Sequence, residues 1–75
     1  MTRKVQIVGG PERKVVLELS LTDLLAIQAA LREVQQELQD WEFEMRMGST
    51  RSEVQELLEF LTPELRAASA ELGEP

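Results

Sequence analysis

The chain of 75 residues contains no cysteine and no histidine, and its aromatic content is limited to one tryptophan and two phenylalanines. Without cysteine there are no disulfides to staple a small fold, and without Cys or His the usual structural zinc sites cannot be assembled. The same absences remove the commonest general base and the thiol nucleophile. Serine and lysine remain as reactive side chains, but Ser20, Ser49 and Ser52 all stand where helix capping accounts for them. Gly9-Gly10-Pro11 lacks the spacing and the following helix of a phosphate-binding loop, and no alternating Asp/Asn run ahead of a glycine marks a calcium loop. The composition therefore predicts a protein that is not an enzyme and carries no metal and no cofactor.

Long apolar runs are also missing. The longest unbroken aliphatic stretch, Leu24-Leu25-Ala26-Ile27, is far too short to span a membrane, and the first residues hold no apolar core of a secretory signal. The expectation is a cytoplasmic protein without a membrane partner. Basic residues are scarce, with 8 Lys and Arg against 14 Asp and Glu for a net charge of −6, which disfavours nucleic acid as the general partner. The charges are unevenly spread. Residues 1–19 hold Arg3, Lys4, Arg13 and Lys14 against Glu12 and Glu18, whereas residues 20–75 hold twelve acids against four arginines. A mildly basic head on a strongly acidic body suits attraction to a basic protein partner or to a second copy.

The size of the chain bears on the same question. A domain this short buries only about 60% of the surface of its unfolded chain, so without staples its stability leans on self-association or a bound partner. One domain over residues 1–75 is expected, of the α+β class: an N-terminal β-hairpin followed by two or three helices.

The hairpin is predicted over 3–19. Val5 and Ile7 alternate with Lys4 and Gln6, Gly9-Gly10-Pro11-Glu12 breaks the run, and Val15, Leu17 and Leu19 follow with a second alternation. Setting Val5 opposite Leu17 and Ile7 opposite Val15 brings these apolar residues to one face and leaves Gly10-Pro11-Glu12 at the tip. Ser20 then offers a cap for a helix over 21–41, in which Leu24, Ile27, Leu31, Val34, Leu38, Trp41 and Met45 recur at spacings of three and four. As a parallel coiled coil this stripe would set Glu37 against Glu42, so it is expected to pack inside the fold against the hairpin and the second helix.

The stretch Trp41-Glu42-Phe43-Glu44-Met45-Arg46-Met47 is apolar at every second residue. A helix from 21 to 45 would run about 37 Å, longer than the ~30 Å span of a compact domain of this size. The expectation is an extended or irregular connector over 42–49, with a short third strand at 41–47 as one form of it. Thr50-Arg51-Ser52-Glu53 is a capping box that opens a helical segment over 51–72, continued through Pro63 either as one kinked helix or as two abutting ones, with Gly73 as its stop.

Two surface features stand out as candidates for recognition. Glu33, Glu37, Asp40 and Glu44 fall at steps of four, three and four and would form one acidic ridge on a continuous helix. Trp41, Phe43 and Met47, with Met45, make the densest bulky apolar cluster, which is either ordinary core or, where any of it is exposed, the kind of group that anchors interfaces. The favoured reading is a small adaptor-, immunity- or inhibitor-like module, homodimeric, whose ridge steers a protein partner and whose Trp/Phe/Met patch is buried by it.

Gly48-Ser49-Thr50-Arg51-Ser52-Glu53-Val54, followed by Leu57 and Leu58, resembles the start of the second helix of ribbon–helix–helix repressors, and the order strand 15–19, helix, turn, helix is similar. That resemblance implies an alternative function as a DNA-binding repressor or antitoxin, with a strand from each subunit paired across a two-fold axis and outward side chains reading the major groove. Here an extra strand precedes the ribbon, the first helix is long, and the outward residues would be Lys14, Val16 and Glu18. A second alternative is a structural subunit of a homo-oligomer that contacts only itself.

Overall fold

The computed structural model describes residues 3–73. Strand β1 (Lys4–Gly9) and strand β2 (Lys14–Glu18) form an antiparallel hairpin, followed by helices α1 (Leu21–Glu37), α2 (Asp40–Met47) and α3 (Arg51–Leu72). The α+β class and the leading hairpin are as the sequence predicts.

The hairpin register is the expected one, with Val5 opposite Leu17 and Ile7 opposite Val15, and an irregularity lies between Ile7 and Gly9. Residues 10–13 make the turn, closed by the Arg13 N–H donating to the Gly10 carbonyl at 3.0 Å. Gly9 and Gly10 both adopt left-handed backbone, at φ 77° and 78°, which side chains with a Cβ tolerate poorly.

Helix α1 starts where predicted. The Ser20 hydroxyl accepts from the Asp23 N–H at 3.0 Å, and Asp23 lies in the positive first turn. Its end differs from the expected helix over 21–41: it stops at Glu37, and Leu38 turns to extended backbone. The connector expected over 42–49, and the third strand at 41–47, are replaced by α2. The Gln39 N–H donates to Glu42 Oε1 at 3.0 Å, Asp40 and Glu42 sit in the first turn and Arg46 in the last, and Gly48 closes the helix in the left-handed conformation. The length argument is satisfied by a break and restart rather than by extended chain. At 100° per residue, alternation over seven positions also describes a two-faced helix, with Trp41 and Met45 on one side and Phe43 and Met47 on the other.

The Thr50–Glu53 capping box forms as expected, with the Glu53 N–H donating to Thr50 Oγ1 at 3.1 Å and the Thr50 N–H to Glu53 Oε1 at 2.8 Å. One helix then runs through Pro63 to Leu72.

The core is small and lies entirely among the helices. Phe43, Val54 and Leu58 are buried together, with Leu31, Val34, Leu38 and Met47 packed around them. Farther along the antiparallel α1/α3 pair, Leu65 is buried and Gln28 Nε2 donates to Thr62 Oγ1 at 3.0 Å. Among the described residues the hairpin packs on none of the helices, contrary to expectation. The connection of residues 19–20 carries the ribbon beyond the start of α1. Among the described residues the ion pair of Arg3 with Asp23, with N···O distances of 2.9 and 2.8 Å, ties the two parts together.

Candidate interaction surface

Arg51 organises the region where both predicted recognition features lie. Its guanidinium donates to the Gln35 and Leu38 carbonyls, the second at 2.7 Å, and to Gln35 Oε1 at 3.0 Å. These carbonyls belong to the end of α1, where backbone acceptors lack intrahelical partners. The same side chain pairs with Asp40 at 3.0 Å and stacks over the Phe43 ring at 4.6 Å. One residue at the start of α3 thus caps α1, anchors the first residue of α2 and covers the core.

This arrangement divides the acidic ridge. Glu33 and Glu37 are exposed on α1, and Asp40 and Glu44 are exposed on α2, which starts in a new phase after residues 38–39. The carboxylate of Asp40 is engaged by Arg51. The four acids therefore do not form the single helical row that an unbroken helix would give.

The Trp/Phe/Met patch is divided as well. Phe43 is 1% exposed and Met47 packs against the core, so neither is free to meet a partner. Trp41 and Met45 point outward, 76% and 75% exposed. Phe43 is withdrawn from the candidate contact residues because the restart of the helix turns it inward.

More exposed apolar residues lie together on the hairpin. Val5, Ile7, Val15 and Leu17 share one face of the hairpin, Val16 points to the other, and all are exposed, Ile7 to 81%. A two-stranded ribbon on its own is marginal in water, so a bare apolar face of this kind is built to be covered. On the opposite face Val16 stands among Lys4, Gln6, Lys14 and Glu18. A further apolar strip lies on the helices, where Ile27, Leu57, Phe60 and Leu72 are exposed.

Electrostatics follow local geometry. The Arg3 guanidinium hydrogen-bonded to it holds the Asp23 carboxyl below its ordinary range against some desolvation, and Ser20 adds to the effect. Hydrogen bonds from the Thr50 backbone and then its side chain lower Glu53 in the same direction. A groove of about 510 Å³ between α1 and α3 is open and lined mostly by polar residues, including Arg32, Gln35, Gln55 and Thr62. Among the described residues no acidic cluster is arranged to hold a metal ion, and no helix is long and apolar enough to cross a membrane. No protein-family model matches the chain, and no curated protein or solved structure matches it.

Proposed function

We propose that the chain is a protein-interaction module, adaptor-, immunity- or inhibitor-like, that acts by docking and not by turnover. The observation that carries this reading is the projecting hairpin, whose Val5, Ile7, Val15 and Leu17 lie bare while no helix of the chain packs on them. Exposed apolar area of this kind is the usual mark of a protein contact. The docking element is the ribbon, and Trp41 is a secondary anchor. Glu33, Glu37 and Glu44 supply negative field for a basic approach, and reversing two of them to Lys lowers the on-rate and its salt sensitivity. Cytoplasmic residence belongs to the same proposal.

The repressor alternative has weaker support. Each strand already pairs within its own chain, and Lys14, Val16 and Glu18 offer a poor set of base readers on an acidic protein.

The test compares the wild-type chain with Ile7→Lys. Both are used as bait in a lysate of the native host, and the molar mass of each is measured by light scattering. The proposal expects an association, with itself or with another protein, that the variant loses while its helical circular dichroism is retained. A wild-type chain that is monomeric and holds the same partners as Ile7→Lys would remove the reading.

A further inference from the structure

We infer that the ribbon's partner is a second copy of this chain: the hairpin of each protomer lies across the open apolar side of the other's α1/α3 pair, in a closed reciprocal dimer. This deepens the docking proposal and rests on it.

Surface area is the first argument. A compact monomer of 8.5 kDa exposes about 4,700 Å², whereas this chain exposes 6175 Å². The difference, roughly 1,500 Å² per chain, falls within what an obligate homodimer interface of about 2,000–5,000 Å² in total removes. The radius of gyration agrees, at 14.2 Å against about 11 Å for a compact chain of this length.

The helices supply a matching surface. Gln28 with Thr62, and Gln35 with Arg51, mark the line along which α1 and α3 meet antiparallel. On one side of that line Arg32 and Gln36 face Gln55 and Glu59 across the polar groove. Helical phase puts Leu24, Ile27 and Leu31 of α1 and Leu57 and Leu61 of α3 on the other side, and Phe60 next to Leu57 on the outer face of α3. The α2 helix closes the lower end of that side through Phe43, Ile27 and Leu57 are left exposed along the rest, and Phe60 extends the apolar surface around the outer edge of α3.

Length and charge fit as well. The six residues of β1 reach about 20 Å at ~3.4 Å per residue, and the stretch of α3 from Leu57 to Leu72 reaches about 22 Å at 1.5 Å per residue. The hairpin segment is net basic and the rest of the chain strongly acidic, with Glu64 and Glu71 spaced on the same flank of α3 as Phe60. Ribbon against helix joins opposite charges, while ribbon against ribbon would join like charges. The two-residue connection, the Ser20 cap and the Arg3–Asp23 pair place the ribbon beyond the start of α1 and away from its own helices. A second copy satisfies the same complementarity twice, as a two-fold interface requires.

The absence of cysteine permits a direct test. Ile7→Cys and Phe60→Cys are prepared separately, one with a size tag, mixed, and treated with a short bismaleimide, while light scattering gives the mass of the wild-type chain. The expected results are a wild-type dimer, a mixed Ile7→Cys/Phe60→Cys product as the main cross-linked species, and at least a tenfold weaker dimer for Ile7→Lys. A wild-type monomer at tens of micromolar, or cross-links mainly between two Ile7→Cys chains or two Phe60→Cys chains, would overturn the arrangement. A monomer that still loses a foreign protein partner through Ile7→Lys would overturn the dimer and leave the docking proposal standing.

Discussion

The guanidinium of Arg51 lies 4.6 Å from the centroid of the Phe43 ring, and the same group holds Asp40 at 3.0 Å and the Leu38 carbonyl at 2.7 Å. The break between α1 and α2 is therefore stabilised from outside, by a side chain at the start of α3.

Arg51→Ala leaves the end of α1 without its donors and removes the cover from Phe43. Charge-assisted hydrogen bonds and a stacked cation together are worth roughly 2–3 kcal/mol, a large part of what a chain of this size possesses. Thermal unfolding followed by circular dichroism should show a midpoint lower by about 10 °C or more. Arg51→Lys recovers little of it, because one ammonium cannot reach several acceptors and lie flat on a ring. A lysine variant that melts with the wild type would remove this account of the break.

The Gln28–Thr62 hydrogen bond is the polar counterpart of the core, joining α1 and α3 at 3.0 Å with Gln28 buried. Thr62→Val leaves the amide without its acceptor, at a cost of about 1–3 kcal/mol, while Gln28→Leu with Thr62→Val removes both partners and regains much of it. Denaturant titrations of both single variants and the double variant give the coupling. Additive effects would mean that the two side chains act independently.

How much of this was legible depends on whether the deciding contacts are local. The Val5–Leu17 register and the caps at Ser20 and Thr50 are set by residues within a few positions of one another or by strict alternation, and they appear as predicted. The α2 helix was missed because alternation over 41–47 fits both a strand and a two-faced helix. The contacts that decide it come from Arg51, thirteen residues beyond Leu38. Which members of the Trp/Phe/Met cluster are core and which are exposed was illegible for the same reason, since Phe43 turns inward only if the chain changes phase at residues 38–39. That the hairpin stands free was not legible, because an apolar face of Val5, Ile7, Val15 and Leu17 looks the same whether its cover comes from this chain's helices or from a partner.

Acid should weaken the anchors of the helices. Asp23 and Glu53 titrate below their unfolded values, held there by Arg3 and by Thr50 respectively. Their contribution is thus fully present above the unfolded carboxyl range, about 4, and is lost as pH falls through the depressed values. The melting temperature of the wild type should exceed that of Asp23→Asn with Glu53→Gln at pH 7, and the gap should close below about pH 4. A gap that persists unchanged to pH 2 would show that proton linkage at these two carboxylates is not its source.

The two large aromatics of α2 should respond in opposite ways. Phe43 is enclosed by Val54, Leu58 and Met47, and truncating a buried phenylalanine costs about 3–5 kcal/mol. That equals or exceeds the stability expected of a core this small, so Phe43→Ala should lose its cooperative melt. Trp41, two residues earlier, is 76% exposed, and Trp41→Ala should melt close to the wild type. The intrinsic emission of Trp41 offers a check without substitution, because in the folded chain it should be red-shifted and open to acrylamide quenching. If that emission were blue-shifted and protected while Phe43→Ala stayed folded, α2 would be turned the other way, and the division of the aromatic cluster into an inner and an outer half would be reversed.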